Sequence, residues 1–174
     1  MIQPGPQGGS GREETEMERL DRNLNELLQE LRVAIPGVQV LFAFLLAVPF
    51  QQGFADVNNF QRDVYFATLM CTAISAVLLM APTAYHRLTF RYQQKRKLVF
   101  YSNRFAIAGI TFLALAMLGA ITLVTDYLFS TTATLVVAGL AIVAFATFWF
   151  ALPLRRRLSL KAEGREPLTE NEDR

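Results

Sequence analysis

Charge is scarce in this chain, and it is scarce in particular places. Charged residues make up 18% of the 174, against about 25% in an ordinary soluble domain. Four long stretches between residues 33 and 154 carry no Asp, Glu, Lys, Arg or His. The single cysteine, Cys71, excludes a disulfide scaffold, and the single histidine, His86, excludes a multi-histidine metal site within one chain. The chain also lacks a Gly-rich phosphate loop, a CxxC pair and any paired carboxylates inside an apolar stretch. Catalytic residues, metals and cofactors are therefore not expected. With 52% hydrophobic residues, a disordered chain is excluded as well.

What is present is long apolar runs. They cover 33–50 (VAIPGVQVLFAFLLAVPF), 64–82 (VYFATLMCTAISAVLLMAP), 105–125 (FAIAGITFLALAMLGAITLVT) and 131–154 (TTATLVVAGLAIVAFATFWFALPL). About 20 residues of helix are needed to cross ~30 Å of hydrocarbon. One such run could be a buried core helix, but four cannot all be wrapped by the polar remainder. The first run begins behind an acidic segment rather than near the N-terminus, so it reads as an anchor and not a signal peptide. The expected fold is an all-α integral membrane protein with four transmembrane helices, preceded by a cytoplasmic amphipathic helix. Residues 1–12 read as a disordered leader, 13–32 as the amphipathic helix, 33–154 as the four-span domain and 155–174 as a polar cytoplasmic tail.

Orientation follows from where lysine and arginine fall. The segment before the first run holds four, the 83–104 segment six, and the residues after 154 six more; the 51–63 link holds Arg62 alone and the 126–130 link none. Sixteen basic residues against one place both termini and the middle loop in the cytoplasm, with the spans in a bacterial cytoplasmic membrane.

Two polar regions are candidates for interaction. In 13–32, Met17, Leu20, Leu24, Leu27 and Leu31 recur at heptad spacing, with Leu28 widening the stripe. Thr15 and Glu18 match a capping box, Glu18 and Arg22 an i, i+4 pair, and Pro36-Gly37 suggests a bend below the first span. The stripe can pack on the protein's own cytoplasmic face, pair with a second copy, or dock on another protein. Its seven acids against three bases argue against lying on anionic lipid. The middle loop offers His86, Arg87, Arg91, Lys95, Arg96 and Lys97 among aromatics. Basic residues beside spans mainly fix topology, so nucleic acid is not an expected partner, and docking against the acidic helix is the simplest use of the charge. Inside the spans Gln39 is the deepest strongly polar group and is expected to hydrogen-bond a neighbouring helix. Ala67, Cys71 and Ser75, and Ala116 and Ala120 near Gly109 and Gly119, read as small-residue packing stripes.

The stretch LNELLQELRVAIPGVQVLFAFLL, the HRL-x-FR motif at 86–91, NRFAIAGITFLALAMLGA and the closing WFALPL resemble a family of small actinobacterial four-helix membrane proteins, domain-of-unknown-function family 6328. The resemblance covers about residues 15–156. It implies a four-helix fold and no catalytic residue. A sodium:proton antiporter label carried by some relatives implies transport as an alternative. The residues favour a non-catalytic accessory or scaffold subunit, working through the cytoplasmic helix and basic loop. Its partners would be the lipid bilayer and a larger membrane complex or a homo-oligomer. A small oligomeric ion or solute transporter is the rival, and a tether to anionic lipid or nucleoid a weaker third. Orientation is directly testable: cysteines at Asn58 and Thr132 should react with a membrane-impermeant thiol reagent in intact cells. Cysteines at Gln94 and Ser159 should not, and labelling at Gln94 would contradict the charge argument.

Overall fold

The computed structural model describes residues 16–89 and 95–162, which are helical apart from short links. Helix α1 spans Glu16–Ala47, followed by two 3-10 turns at Val48–Phe50 and Gln52–Asp56. Helices α2 (Asn59–Thr89) and α3 (Lys95–Leu128) come next, then α4 (Thr131–Phe145), a π-helical segment (Ala146–Ala151) and α5 (Leu152–Ala162). Four stretches are long and apolar enough to cross a membrane: Arg22–Phe50, Asn59–Tyr85, Tyr101–Leu128 and Thr131–Arg156.

The amphipathic stretch and the first apolar run fall in one continuous helix. Leu24, Leu31, Val38 and Leu45 are all buried and lie seven residues apart. A single buried line therefore runs from the acidic half of α1 into its apolar half. Leu27, Ala34 and Ile35 flank it and pack on a core formed by Leu31, Val38, Leu79 and Ala106. Pro36 lies inside the helix but on its exposed side, where the helix continues through it.

Helices α2 and α3 run antiparallel and form the most extensive contact in the molecule; α1 touches both. Helix α4 packs on α3 alone among the other spans, and Thr134 is its one buried residue. Such a helix, apolar on every side, belongs in hydrocarbon rather than water. Pro153 removes the amide that the Trp149 carbonyl would receive in an α-helix. The preceding turn widens accordingly, and the Leu152 N–H bonds to the Thr147 carbonyl five residues back.

At 31 and 34 residues, α2 and α3 reach about 46 and 51 Å, well beyond ~30 Å of hydrocarbon. Their ends near Asn59 and Leu128 sit at short links, so the surplus length projects from the opposite side with the acidic half of α1. The basic segment 83–104, expected as a loop, is thus mostly helix: α2 continues to Thr89 and α3 begins at Lys95. Periodicity there is hidden because the segment's charge dominates its pattern.

The buried line on α1 can be broken without touching the spans. Each leucine on it contributes about 1.5–3 kcal/mol through burial, and burying an unpaired carboxylate instead costs several kcal/mol. A double change of Leu24→Asp on the line and Leu27→Asp beside it should therefore release the first turns of α1. Membrane levels should stay normal while the N-terminal segment becomes protease-sensitive. Arg22→Ala should do little, because the Arg22 Nε–Glu26 pair is exposed and 3.8 Å long. Unchanged protease resistance in the double variant would show that the line does not hold α1 in place.

Candidate functional site

The buried polar groups of α2 and α3 gather at two places. The first is the seam between α2 and α3. Thr68, Thr72, Ser75, Leu79 and Pro82 form the buried face of α2, and Ser102, Ala106, Gly109 and Ala116 are buried on α3. Thr68 Oγ1 donates to the Val64 carbonyl at 2.7 Å and Thr72 Oγ1 to the Thr68 carbonyl at 2.8 Å, each within its own helix. Ser75 instead reaches across, its Oγ donating to the Gly109 carbonyl at 2.8 Å. The two backbones come this close because Gly109 has no side chain: a Cβ there would sit 2.7 Å from Leu79 Cδ2. A Cβ on Gly119 would likewise collide with the Thr68 hydroxyl. One heptad further along each helix, Ser102 lies level with Pro82; its Oγ is buried with no hydrogen-bond partner.

Of the expected stripe of Ala67, Cys71 and Ser75, Ser75 is buried as expected, and the other two need correction by one position. Ala67 is exposed and Cys71 half-buried, while Thr68 and Thr72 take the buried places. A threonine that returns its hydroxyl to its own helix presents little more than a methyl group to its neighbour, and so packs as a small residue. Ala116 is fully buried as expected, and Ala120 partly so.

The second place is the end of the bundle near the 48–58 link. Asn58 caps α2: its Oδ1 accepts from the Gln61 N–H at 2.9 Å, and Gln61 Oε1 accepts from the Asn58 N–H at 3.1 Å. This reciprocal capping box fixes the Gln61 side chain. Its Nε2 then donates to Asp126 Oδ2 at 3.0 Å, tying the start of α2 to the end of α3. Asp126 is half-buried and held by this bond. Asn-x-x-Gln before an apolar run is the sequence signal of the capping box, though not of the bond to Asp126. Nearby, Pro49 has no N–H to offer the Leu45 carbonyl. The buried Tyr65 hydroxyl donates to that carbonyl at 3.0 Å, and the Tyr65 ring meets Phe54 edge-on at 5.1 Å. Between these groups lies a crevice of about 450 Å³, whose walls include Val48, Phe54, Leu123 and Tyr127, with the amides of Gln51 and Gln61 at its polar points. It can hold an apolar group by burial and orient one polar end.

The residues singled out from sequence fall as follows. Leu24 and Leu31 are buried and Leu27 and Leu28 half-buried, so the leucine stripe is spent within the chain. Its opposite face presents Asn25, Glu26, Gln29 and Glu30 to solvent. Arg87 is exposed near the end of α2. Arg91 lies outside the described residues, and Leu20, His86, Lys95, Arg96 and Lys97 are described only as helical backbone. Asp63 is exposed one turn into α2. Gln39 is exposed and its side chain makes no hydrogen bond among the described residues, so the bond expected to a neighbouring helix is not formed here. An amide without a partner in hydrocarbon costs several kcal/mol. Among the described residues no group of three or more His, Cys, Asp or Glu could hold a metal ion.

Comparison with known proteins gives one positive result. A family described as "Family of unknown function (DUF6328)" matches residues 13–153. No curated protein and no solved structure matches the chain.

Proposed function

The chain belongs to that family of unknown function, and from this premise we propose that it is a non-catalytic accessory or scaffold protein of a bacterial cytoplasmic membrane. In this reading both termini face the cytoplasm, and the acidic half of α1 together with the basic ends of α2 and α3 forms the contact surface. The observation that carries it is the unbroken buried line Leu24, Leu31, Val38, Leu45. It makes the charged half of α1 a fixed extension of a membrane span, with Asn25, Glu26, Gln29 and Glu30 held outward. A helix that projects beyond the bilayer and keeps one polar face free is suited to dock a partner. The basic ends of α2 and α3 supply the opposite charge, either to α1 itself or to that partner.

A second reading, a small oligomeric ion or solute transporter, draws on Asp126, the half-buried carboxylate that Gln61 holds near one end of α3. Proton-coupled exchange needs a carboxylate that can load and release a proton, and Asp126 and the exposed Asp63 are the acids nearest the spans.

Purification in mild detergent followed by native mass analysis should find the chain in stoichiometric association with a larger assembly. Reconstituted alone, it should show no cation-dependent collapse of a pH gradient. Exchange that is abolished by Asp126→Asn or Asp63→Asn would overturn the scaffold reading in favour of the transporter.

A further inference from the structure

We propose that two copies of this chain associate through α1, with their Gln39 side chains hydrogen-bonded to each other near the middle of the bilayer. Gln39 is exposed on α1, and its side chain has no hydrogen-bond partner among the described residues. It lies seven residues, or about 10 Å of helix, beyond Arg32, the last charged residue before the span, and eleven residues, about 17 Å, short of Phe50. A glutamine side chain reaches neither interface from that depth, and no water is available to it there. Its hydrogen bond must come from another molecule inserted in the membrane.

The surroundings of Gln39 suit a second helix. Pro36, Ala43 and Ala47 are exposed on the same side of α1, and the two alanines, four residues apart, let a neighbouring backbone come close. This side lies away from the buried line through Leu31, Val38 and Leu45, so a partner can bind without disturbing the bundle. Close approach matters because an amide on a short side chain must nearly touch its partner to bond.

The chemistry of the group and the symmetry of the membrane point to a second copy. Every copy inserts with the same orientation, so a two-fold axis along the membrane normal sets Gln39 opposite Gln39 at equal depth. A primary amide is donor and acceptor at once, and two of them satisfy each other reciprocally. The same face continues beyond the span through Arg32, Gln29 and Asn25, all exposed, at the alternating spacing a parallel helix pair requires; Arg32 stands at the end of the apolar run, where water can screen it from its counterpart. A parallel pairing in register would again set amide against amide. This association goes beyond the scaffold reading and does not rest on it.

The test uses the purified full-length chain, reconstituted at low protein-to-lipid ratio, with Cys71→Ala as the background for cysteine placement. Ala43→Cys should yield a disulfide-linked dimer under mild oxidation. Phe44→Cys, one residue on and about 100° round the helix, should not, although Phe44 is 70% exposed. In a fluorescence-transfer assay Gln39→Leu should lower the association constant about tenfold, while Gln39→Asn keeps most of it. Gln39 is on the surface, so an unchanged helical spectrum in the leucine variant checks that the fold is intact. Unaltered association of Gln39→Leu, equal cross-linking at 43 and 44, or a monomer at every lipid ratio would each overturn the proposal.

Discussion

The Ser75 hydroxyl donates a hydrogen bond to the Gly109 carbonyl across the α2–α3 seam, and that contact exists because Gly109 carries no Cβ. Most of the remaining architecture depends on how closely these two helices approach. Their joint surface makes the groove that receives α1, whose Leu31 and Val38 meet Leu79 and Ala106 there. Helix α4 depends on α3 alone. In hydrocarbon, lipid tails compete on equal terms with leucine, so apolar burial gives little net drive between spans. Shape complementarity and satisfied polar groups must supply what the hydrophobic effect supplies in water. The seam offers both: the hydroxyls of Thr68, Thr72 and Ser75 are satisfied within their own helix or across the gap, and glycines stand where a side chain would force the helices apart.

The two ends of the bundle are secured by different means. Near the 48–58 link the devices are polar. A capping box orders Gln61, Gln61 binds Asp126, and Tyr65 fills the bond that Pro49 leaves open at Leu45. At the far end, in the charged half of α1, Leu24 and Leu31 take over and work through burial. That change of means suits the change of solvent. Leucine burial gains most where water is the alternative, and hydrogen bonds matter most where it is not.

The four apolar runs, uncharged over 18 residues or more, made the number and place of the spans readable from sequence. Their full lengths were less readable, because the helices continue into charged segments where amphipathic periodicity is faint. The leucine heptads predicted a helix in 13–32, and the same seven-residue step at Val38 and Leu45 lay concealed in the uniformly apolar first run. Ser75, Gly109 and Ala116 are rightly placed in the seam, but Ala67 and Cys71 stand one position away from its buried residues, because a rule based on side-chain size overlooks threonine that bonds back to its own helix, as Thr68 and Thr72 do. The tie from Gln61 to Asp126 links residues 65 positions apart, and no local pattern announces it. Gln39 was recognised as the deepest amide, but sequence alone could not show that it faces outward rather than toward α2 or α3.

Unfolding of glycine variants in one detergent tests the dependence on the α2–α3 seam most directly. Gly109→Ala would place its Cβ 2.7 Å from a fully buried Leu79, whereas Gly139→Ala on α4 meets nothing within 4 Å. The first should lower stability by about 1–3 kcal/mol through overpacking. The second should be neutral or stabilising by up to ~1 kcal/mol, as glycine to alanine is in an unobstructed helix. Equal stability of the two variants, or a Gly109→Ala protein as stable as the parent, would contradict the claim that this close approach holds the bundle together.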